Sequence, residues 1–361
     1  MKKTKIAVIG LKGLPAYGGA AAVGESLINR LKEEYDFTVL SSASHTNGEI
    51  ELDKVKQIVF KNIGKGGVNT MYYYLRCLVH VLINSYDLIH LHHAESGFIT
   101  PLLSIRYKVI VTFHGVFRDI DPKFSNFQNK FFRFSEKLNM KYAHKVISVS
   151  NPDKEYLERK YKRNIEYIPN GINIEQIKTK FSIERIFFAA GRIYQIKGLH
   201  LLLESLHSFE NNIPVLIAGD LNQVPEYTQK IKKLSDGLQI EYLGLIKSKN
   251  KLLNLISESR FFVFPSLTEA MSMMLLEVVS VRTPVIASDI PSNKAVFSNE
   301  EVLFFKSGDS NDLSDKIQYA LKNPDLMKEK SKLAFLKLQR EYNWDVISNE
   351  YKKSFIESIN N

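Results

Sequence analysis

Cysteine is nearly missing from this chain: of its 361 residues only Cys77 carries a thiol. That excludes an intramolecular disulfide and a cysteine-built zinc site, and a reducing compartment, the cytoplasm, is expected. Cys77 lies in an apolar helical pattern and reads as a core residue rather than a nucleophile. Long apolar runs are missing too. The longest stretch, Leu75 to Ile83, is broken by Arg76 and His80, so no transmembrane helix is expected. The opening Met-Lys-Lys-Thr-Lys precedes an apolar run, Ile6 to Ile9, that is far too short for a signal peptide. No internal repeat, low-complexity segment or nucleic-acid motif stands out. The net charge is +10, but the basic residues are spread along the chain. Nucleic acid is therefore not the expected partner. A phosphorylated ligand or a peripheral contact with an anionic membrane surface is, with a surface excess serving solubility as the plain alternative.

What is present is an alternation of short apolar strands and helices. Ile6–Ile9, Thr38–Leu40, Asp87–Leu91, Val109–Phe113 and Val146–Ser150 read as strands, with a helix from about Ala20 to Glu34. The loop Tyr167-Ile168-Pro169-Asn170-Gly171-Ile172 interrupts the pattern. It then restarts with Ile186–Ala190, Val215–Gly219, Ile240–Leu243, Phe261–Phe264 and Val285–Ala287. The length suits two domains. The expected fold is α/β: two doubly wound Rossmann-like domains, joined near residue 175 and facing across a cleft. Ligands in such sheets bind at the carboxyl ends of the strands.

The most informative stretch is Pro265-Ser266-Leu267-Thr268-Glu269-Ala270-Met271-Ser272-Met273-Met274-Leu275-Leu276-Glu277. Its two carboxylates lie eight positions apart, about 12 Å of rise in a helix, so they suit two ends of one extended ligand rather than a touching acid/base pair. With Glu269 at a strand-to-helix turn, the amides of Ser272, Met273 and Met274 face an anion. A nucleotide sugar offers hydroxyls for the carboxylates and phosphates for the amides.

Gly191-Arg192 and Lys197-Gly198 follow a strand, and a planar guanidinium with a compact ammonium suits a diphosphate. The first loop, Gly10 to Gly19, ends in Gly18-Gly19 at a helix start; it does not match the dinucleotide fingerprint. The plain reading is a flexible turn. His114 ends a strand and suits a polar contact to substrate or a proton shuttle. His90, His92 and His93 read as cleft-lining or structural rather than as metal ligands. Asp119-Ile120-Asp121 reads as loop. Phe124 to Lys145 alternates Phe with Lys and reads first as a packed helix with a charged outer face, and second as a helix lying on anionic lipid.

These features, in this order, resemble the glycosyltransferase family 4 enzymes, retaining transferases of the GT-B fold. The resemblance covers essentially the whole chain. It rests on Glu269 to Glu277 inside Phe-Pro-Ser-Leu-Thr-Glu, on Gly191-Arg192 with Lys197-Gly198, and on Ile168-Pro169-Asn170-Gly171. Gly13-Leu14-Pro15-Ala16-Tyr17-Gly18-Gly19 looks most like the rhamnosyltransferase-like branch, although Ala21 replaces an acidic residue common there. Tyr342-Asn343-Trp344-Asp345 looks like the family's crossing point between domains. The resemblance implies an acceptor-binding domain over 1–175, onto which a C-terminal helix, 345–361, packs back, and a donor-binding domain over 176–344.

It implies that Arg192 and Lys197 hold the donor diphosphate and that Glu277 binds the ribose. Glu269 binds the transferred sugar, and the amides of Ser272 to Met274 contact the sugar or β-phosphate. His114 contacts the sugar near the reacting carbon, Gly18 and Gly19 sit by the phosphate or acceptor, and Leu245-Ile246 meets the base. His114, Glu269, Arg192 and Lys197 form the implied catalytic set. No metal and no cofactor are expected, the nucleotide-diphosphate sugar being a co-substrate. The acceptor is expected to be a glycan or a lipid-linked sugar of a cell-surface polysaccharide pathway, met at the inner membrane face. Ala270 stands where the family usually has Gly, which predicts a less permissive loop. A catalytically silent nucleotide-sugar-binding partner, or a GT-B-fold epimerase or phosphorylase, is the alternative.

Overall fold

The structure is a computed structural model that describes residues 3–16, 19–46, 53–64, 66–116, 125–174, 183–209 and 213–360. The chain divides into two compact units, Met1–Gly171 with Trp344–Asn361, and Ile172–Asn343.

The first unit is a seven-stranded, wholly parallel sheet in the order β3-β2-β1-β4-β5-β6-β7. Its strands are β1 (Thr4–Lys12), β2 (Tyr35–Ser42), β3 (Lys56–Phe60), β4 (Leu88–His92), β5 (Lys108–Phe113), β6 (Lys145–Ser148) and β7 (Glu166–Tyr167). The central strands are continuous apolar runs because both faces are covered: Ile6, Val8, Leu88, Ile89, Val109 and Ile110 are essentially inaccessible. The helices are α1 (Gly19–Leu31), α2 (Gly67–Ile83), α3 (Thr100–Leu103), α4 (Asn126–Tyr142) and α5 (Asn151–Tyr161). Strand-to-strand crossovers in a parallel sheet are right-handed. The β1-to-β2 crossover through α1 runs in the opposite direction along the sheet from those carrying α2, α3, α4 and α5. It therefore places α1 on one face and the other four on the other face.

Local capping fixes the helix starts. Ser125 and Gln128 form a reciprocal capping box on α4, and Ser150 caps α5. The final helix, α13 (Trp344–Asn360), packs against α1 and β5, with Phe355 and Tyr351 fully buried. It is anchored at Gly171, where a Cβ would lie 2.6 Å from the Trp344 ring. That contact explains the glycine after Pro169-Asn170.

The second unit is a six-stranded parallel sheet in the order β10-β9-β8-β11-β12-β13. The strands are β8 (Ile183–Arg192), β9 (Val215–Asp220), β10 (Ile240–Gly244), β11 (Ser259–Phe264), β12 (Val285–Ser288) and β13 (Leu303–Phe305). The helices are α6 (Leu199–Leu206), α7 (Pro225–Leu234), α8 (Lys249–Ser257), α9 (Met273–Ser280), α10 (Pro291–Val296), α11 (Ser310–Lys322) and α12 (Pro324–Glu341). Its core joins Phe188, Leu199, Leu202, Ile217, Phe261, Val263 and Ile286.

In each sheet the chain starts at the centre, builds outward on one side, then returns to the other side. The return creates a switch point, between β1 and β4 in the first unit and between β8 and β11 in the second. Two loops there diverge at the carboxyl ends of adjacent strands, which is where such sheets bind ligands.

Candidate active site

The switch point of the second unit is built by the loops after β8 and β11. Gly198 closes the first loop in the left-handed region, φ +71°, and a Cβ there would lie 1.9 Å from the Pro265 carbonyl oxygen. Only glycine permits that approach. The Leu267 amide donates to the Ile196 carbonyl at 2.8 Å and clamps the loops together.

The clamp brings Lys197 to Glu269. The ammonium donates to Glu269 Oε1 at 2.6 Å, and Ser266 Oγ donates to the same oxygen at 2.9 Å. Glu269 Oε2 has no partner among the described residues and remains available as an acceptor. Glu269 lies in the irregular segment before α9, so the two glutamates do not share one helix. Glu277 is the fifth residue of α9, and its carboxylate pairs with Lys249 at 3.1 Å. Lys249 opens α8, whose N-cap is Ser248. The first turn of α9 has no side-chain cap, so the amides of Ser272, Met273 and Met274 have no intrahelical acceptors.

Arg192 is the last residue of β8 and is exposed. Leu245 and Ile246 follow β10, with Leu245 53% exposed, an apolar surface open to a planar partner. Ala270 is not among the non-glycine residues with positive φ, so its backbone sits where any L-residue fits.

In the first unit the switch point gathers histidines. Gly10, at φ +105°, lets β1 pass so close to β4 that a Cβ would lie 2.4 Å from the His92 carbonyl oxygen. The Gly10 amide donates to the Tyr73 hydroxyl at 2.9 Å, and that hydroxyl donates to the Leu40 carbonyl at 2.6 Å. His114 Nε2 lies 2.9 Å from His92 Nδ1, with the rings stacked. His90 Nε2 bonds Thr112 Oγ1 at 2.8 Å and packs against Tyr351 and Phe355 of α13. Burial holds His114 and His92 well below the usual imidazole range, helped by their histidine neighbours. Burial alone pushes His90 down to about 3. All three rings are neutral at physiological pH, so in the His92–His114 bond one nitrogen donates and the other accepts. Lys12 pairs with Glu95 at 3.5 Å beside them. Among the described residues no group of three or more His, Cys, Asp or Glu is placed to hold a metal ion. Gly19 opens α1, while Gly18 and the Asp119-Ile120-Asp121 triplet lie outside the described residues.

The two halves of the chain match two families. Residues 17–176 match Glycosyltransferase Family 4, and residues 172–335 match Glycosyl transferases group 1. The chain is a glycosyltransferase. An uncharacterised glycosyltransferase of Methanocaldococcus jannaschii is 26% identical over 336 residues, 87% of this chain and 88% of that protein. An Escherichia coli UDP-Gal:α-D-GlcNAc-diphosphoundecaprenol α-1,3-galactosyltransferase is 27% identical over 239 residues, 60% of this chain and 61% of its own. Among solved structures, sucrose-phosphate synthase of Thermosynechococcus elongatus superposes with a TM-score of 0.81 at 18% identity, covering 99% of both chains. That likeness places this glycosyltransferase in the GT-B fold.

Some features of the glycosyltransferase were not legible as site features in the sequence. Lys249 lies 28 residues from Glu277 in a polar stretch with no motif around it, and Ser266 is one serine among many. The proximity of His92 to His114 needed the β4–β5 register, which sets His92 opposite Thr112.

Proposed function

We propose that this glycosyltransferase moves a hexose or deoxyhexose, rhamnose included, from a nucleotide-diphosphate sugar to a glycan or lipid-linked acceptor. The transfer retains anomeric configuration and needs no metal. The observation that carries the donor assignment is the pairing of each glutamate with its own lysine beside one uncapped helix start: Glu269 with Lys197, and Glu277 with Lys249. Each carboxylate is oriented by a cation and keeps one oxygen for a ligand hydroxyl. The cations and amides alongside supply the positive field that a diphosphate requires.

In this reading Glu277 binds the ribose hydroxyls, Glu269 the transferred sugar, and Arg192 and Lys197 the diphosphate. Leu245-Ile246 meets the base. Gly18 and Gly19 attend the phosphate or acceptor, and His114, neutral, contacts the sugar by hydrogen bonding rather than by charge. In the reaction the bond between the anomeric carbon and the diphosphate oxygen breaks, and a bond from the acceptor hydroxyl oxygen to the same carbon forms on the same face. The hydroxyl proton passes to the departing phosphate oxygen. Negative charge growing on that oxygen is stabilised by Lys197, Arg192 and the amides of Ser272 to Met274. The relative named for UDP-Gal and a diphosphoundecaprenol-linked acceptor supports a lipid-linked acceptor.

The test is the anomeric configuration of the product, read by NMR during turnover in EDTA. Retained configuration at an undiminished rate supports the mechanism. An inverted product, or activity abolished by EDTA and restored by Mg²⁺, overturns it. Tight nucleotide binding without turnover on any acceptor supports the silent-partner alternative.

A further inference from the structure

Three polar side chains stand behind Glu269 in the core of the second unit: Ser266, Ser288 and Asn293 are each at most 1% exposed. They come from three different places in the chain. Ser266 follows β11, Ser288 ends β12, and Asn293 lies in α10. Parallel pairing of Phe264 with Ala287 brings β11 and β12 out of the sheet side by side, so the residues after them meet. Pro291 opens α10, and the Asn293 amide donates to the Ile290 carbonyl at 3.0 Å, so the helix starts directly after the strand. Phe297, buried just past α10, holds the other end.

The three side chains form one line of hydrogen bonds. Asn293 Nδ2 donates to the Ser288 carbonyl at 3.0 Å and lies 3.4 Å from Ser288 Oγ. A carbonyl only accepts, so the nitrogen of the Asn293 amide faces Ser288 and its oxygen does not. The Ser288 hydroxyl directs its one proton to the Ser266 carbonyl, at 2.5 Å. Ser266 Oγ in turn donates to Glu269 Oε1 at 2.9 Å. Each donor in the line points toward the carboxylate.

The loop closes without this line. Pro265 already lies against Gly198, and the Leu267 amide is bonded to the Ile196 carbonyl. What the line adds is a fixed Ser266, and with it the direction in which the Glu269 side chain turns. Lys197 sets no such direction, because its ammonium is a point charge with rotatable donors on a flexible stem. The surroundings are apolar: Phe264, Ala287, Val296 and Phe297 are all buried. Buried hydroxyls and amides cost free energy unless they are bonded, and apolar groups of the same shape would hold β12 and α10 about as well. A bonded line kept in such a place gives orientation rather than cohesion.

We propose that Ser288 and Asn293 are positioning residues for the transfer: through Ser266 they fix the rotation of Glu269, so that its second oxygen meets the transferred sugar. They act through Ser266 and not by contact with the substrate. The proposal rests on the functional reading of Glu269 as the sugar-binding carboxylate.

The experiment pairs crystal structures with calorimetric titration of the full chain. The variants are Ser266→Ala, Ser288→Ala, Asn293→Ala and Ser266→Ala with Asn293→Ala; Ser288→Ala removes a single oxygen and keeps the fold. The titrants are a nucleotide sugar, chosen on the wild type from UDP-, GDP-, dTDP- and ADP-sugars, and the matching nucleoside diphosphate without the sugar. In Ser288→Ala and Asn293→Ala the Glu269 carboxylate should turn away from residue 266. Their affinity for the nucleotide sugar should fall about tenfold, while that for the bare diphosphate stays within about twofold. Ser266→Ala should show the same loss, and adding Asn293→Ala to it should lower the affinity no further. Equal loss of both ligands overturns the proposal, because it describes a purely structural role. A carboxylate that keeps its bond to Ser266 in both Ser288→Ala and Asn293→Ala overturns the proposal and leaves the functional reading standing. A carboxylate that moves with no loss of affinity for the nucleotide sugar overturns the reading of Glu269, and the proposal with it.

Discussion

Lys197 and Glu269 lie 72 residues apart in the chain and 2.6 Å apart in the structure. The approach depends on the loops after β8 and β11 closing over Gly198. Either residue alone has an ordinary surface chemistry; together they form a fixed cation–carboxylate pair with one free carboxylate oxygen. Residues that act as a unit lose function non-additively. Lys197→Met and Glu269→Gln should each lower kcat/KM by about 10²–10³-fold. The double variant should fall no more than about threefold below the worse single one. Steady-state kinetics decide this, and multiplicative losses would show that the two act independently.

Gly198 is required for that geometry. An alanine there puts a methyl group 1.9 Å from the Pro265 carbonyl in a left-handed backbone. Gly198→Ala should destabilise the second unit by about 2–3 kcal/mol, measured as an earlier urea transition. Gly191→Ala meets nothing within 4 Å and has no positive φ, so it should be close to neutral. Equal effects of the two substitutions would contradict the close-approach argument.

The buried imidazoles give a pH dependence. His90 is depressed to about 3 in the folded chain by burial, against about 6.5 when unfolded. Below the unfolded value the unfolded chain binds more protons than the folded one. Stability is therefore complete above pH 6.5 and falls as pH decreases, by about 1.4 kcal/mol for one such group at pH 5.5. Denaturant unfolding at pH 7.5 and 5.5 should show the loss, and His90→Gln should reduce it by about that amount. An unchanged pH slope in His90→Gln would mean that this ring does not titrate on unfolding.

Cys77 is fully buried, and burial pushes its thiol well above the ordinary range. A thiol reagent should leave the native protein unlabelled over minutes and react with one equivalent in urea. Rapid native labelling would contradict the core placement.

Much of this was legible in the sequence because the signals were local. Apolar runs bounded by loops marked the central strands, and two glutamates at fixed spacing beside a strand marked the donor candidates. Three sheet-edge strands were not read from the sequence: β7 is two residues long, and the short apolar runs of β3 (Ile58–Phe60) and β13 (Leu303–Phe305) do not by themselves tell a strand from a helical turn. The partners of the marked residues were not legible either. Lys249 reaches Glu277, and His92 reaches His114, through sheet order and register, which no local pattern states. The exposure of Val68, Leu75, Val79 and Leu82 on α2 was not legible either, because periodicity records which residues are apolar, not which are covered.

The central claim is that the second unit binds a nucleotide-diphosphate sugar through Glu277, Glu269 and Lys197. Thermal unfolding of the wild-type chain and of Glu277→Ala against UDP-, GDP-, dTDP- and ADP-sugars, with EDTA and with Mg²⁺, tests it most directly. The account predicts that one nucleotide class raises the wild-type Tm equally in both conditions and that Glu277→Ala loses that rise while unfolding at its normal temperature without ligand. No rise with any nucleotide sugar, or a rise that Glu277→Ala keeps in full, would contradict it.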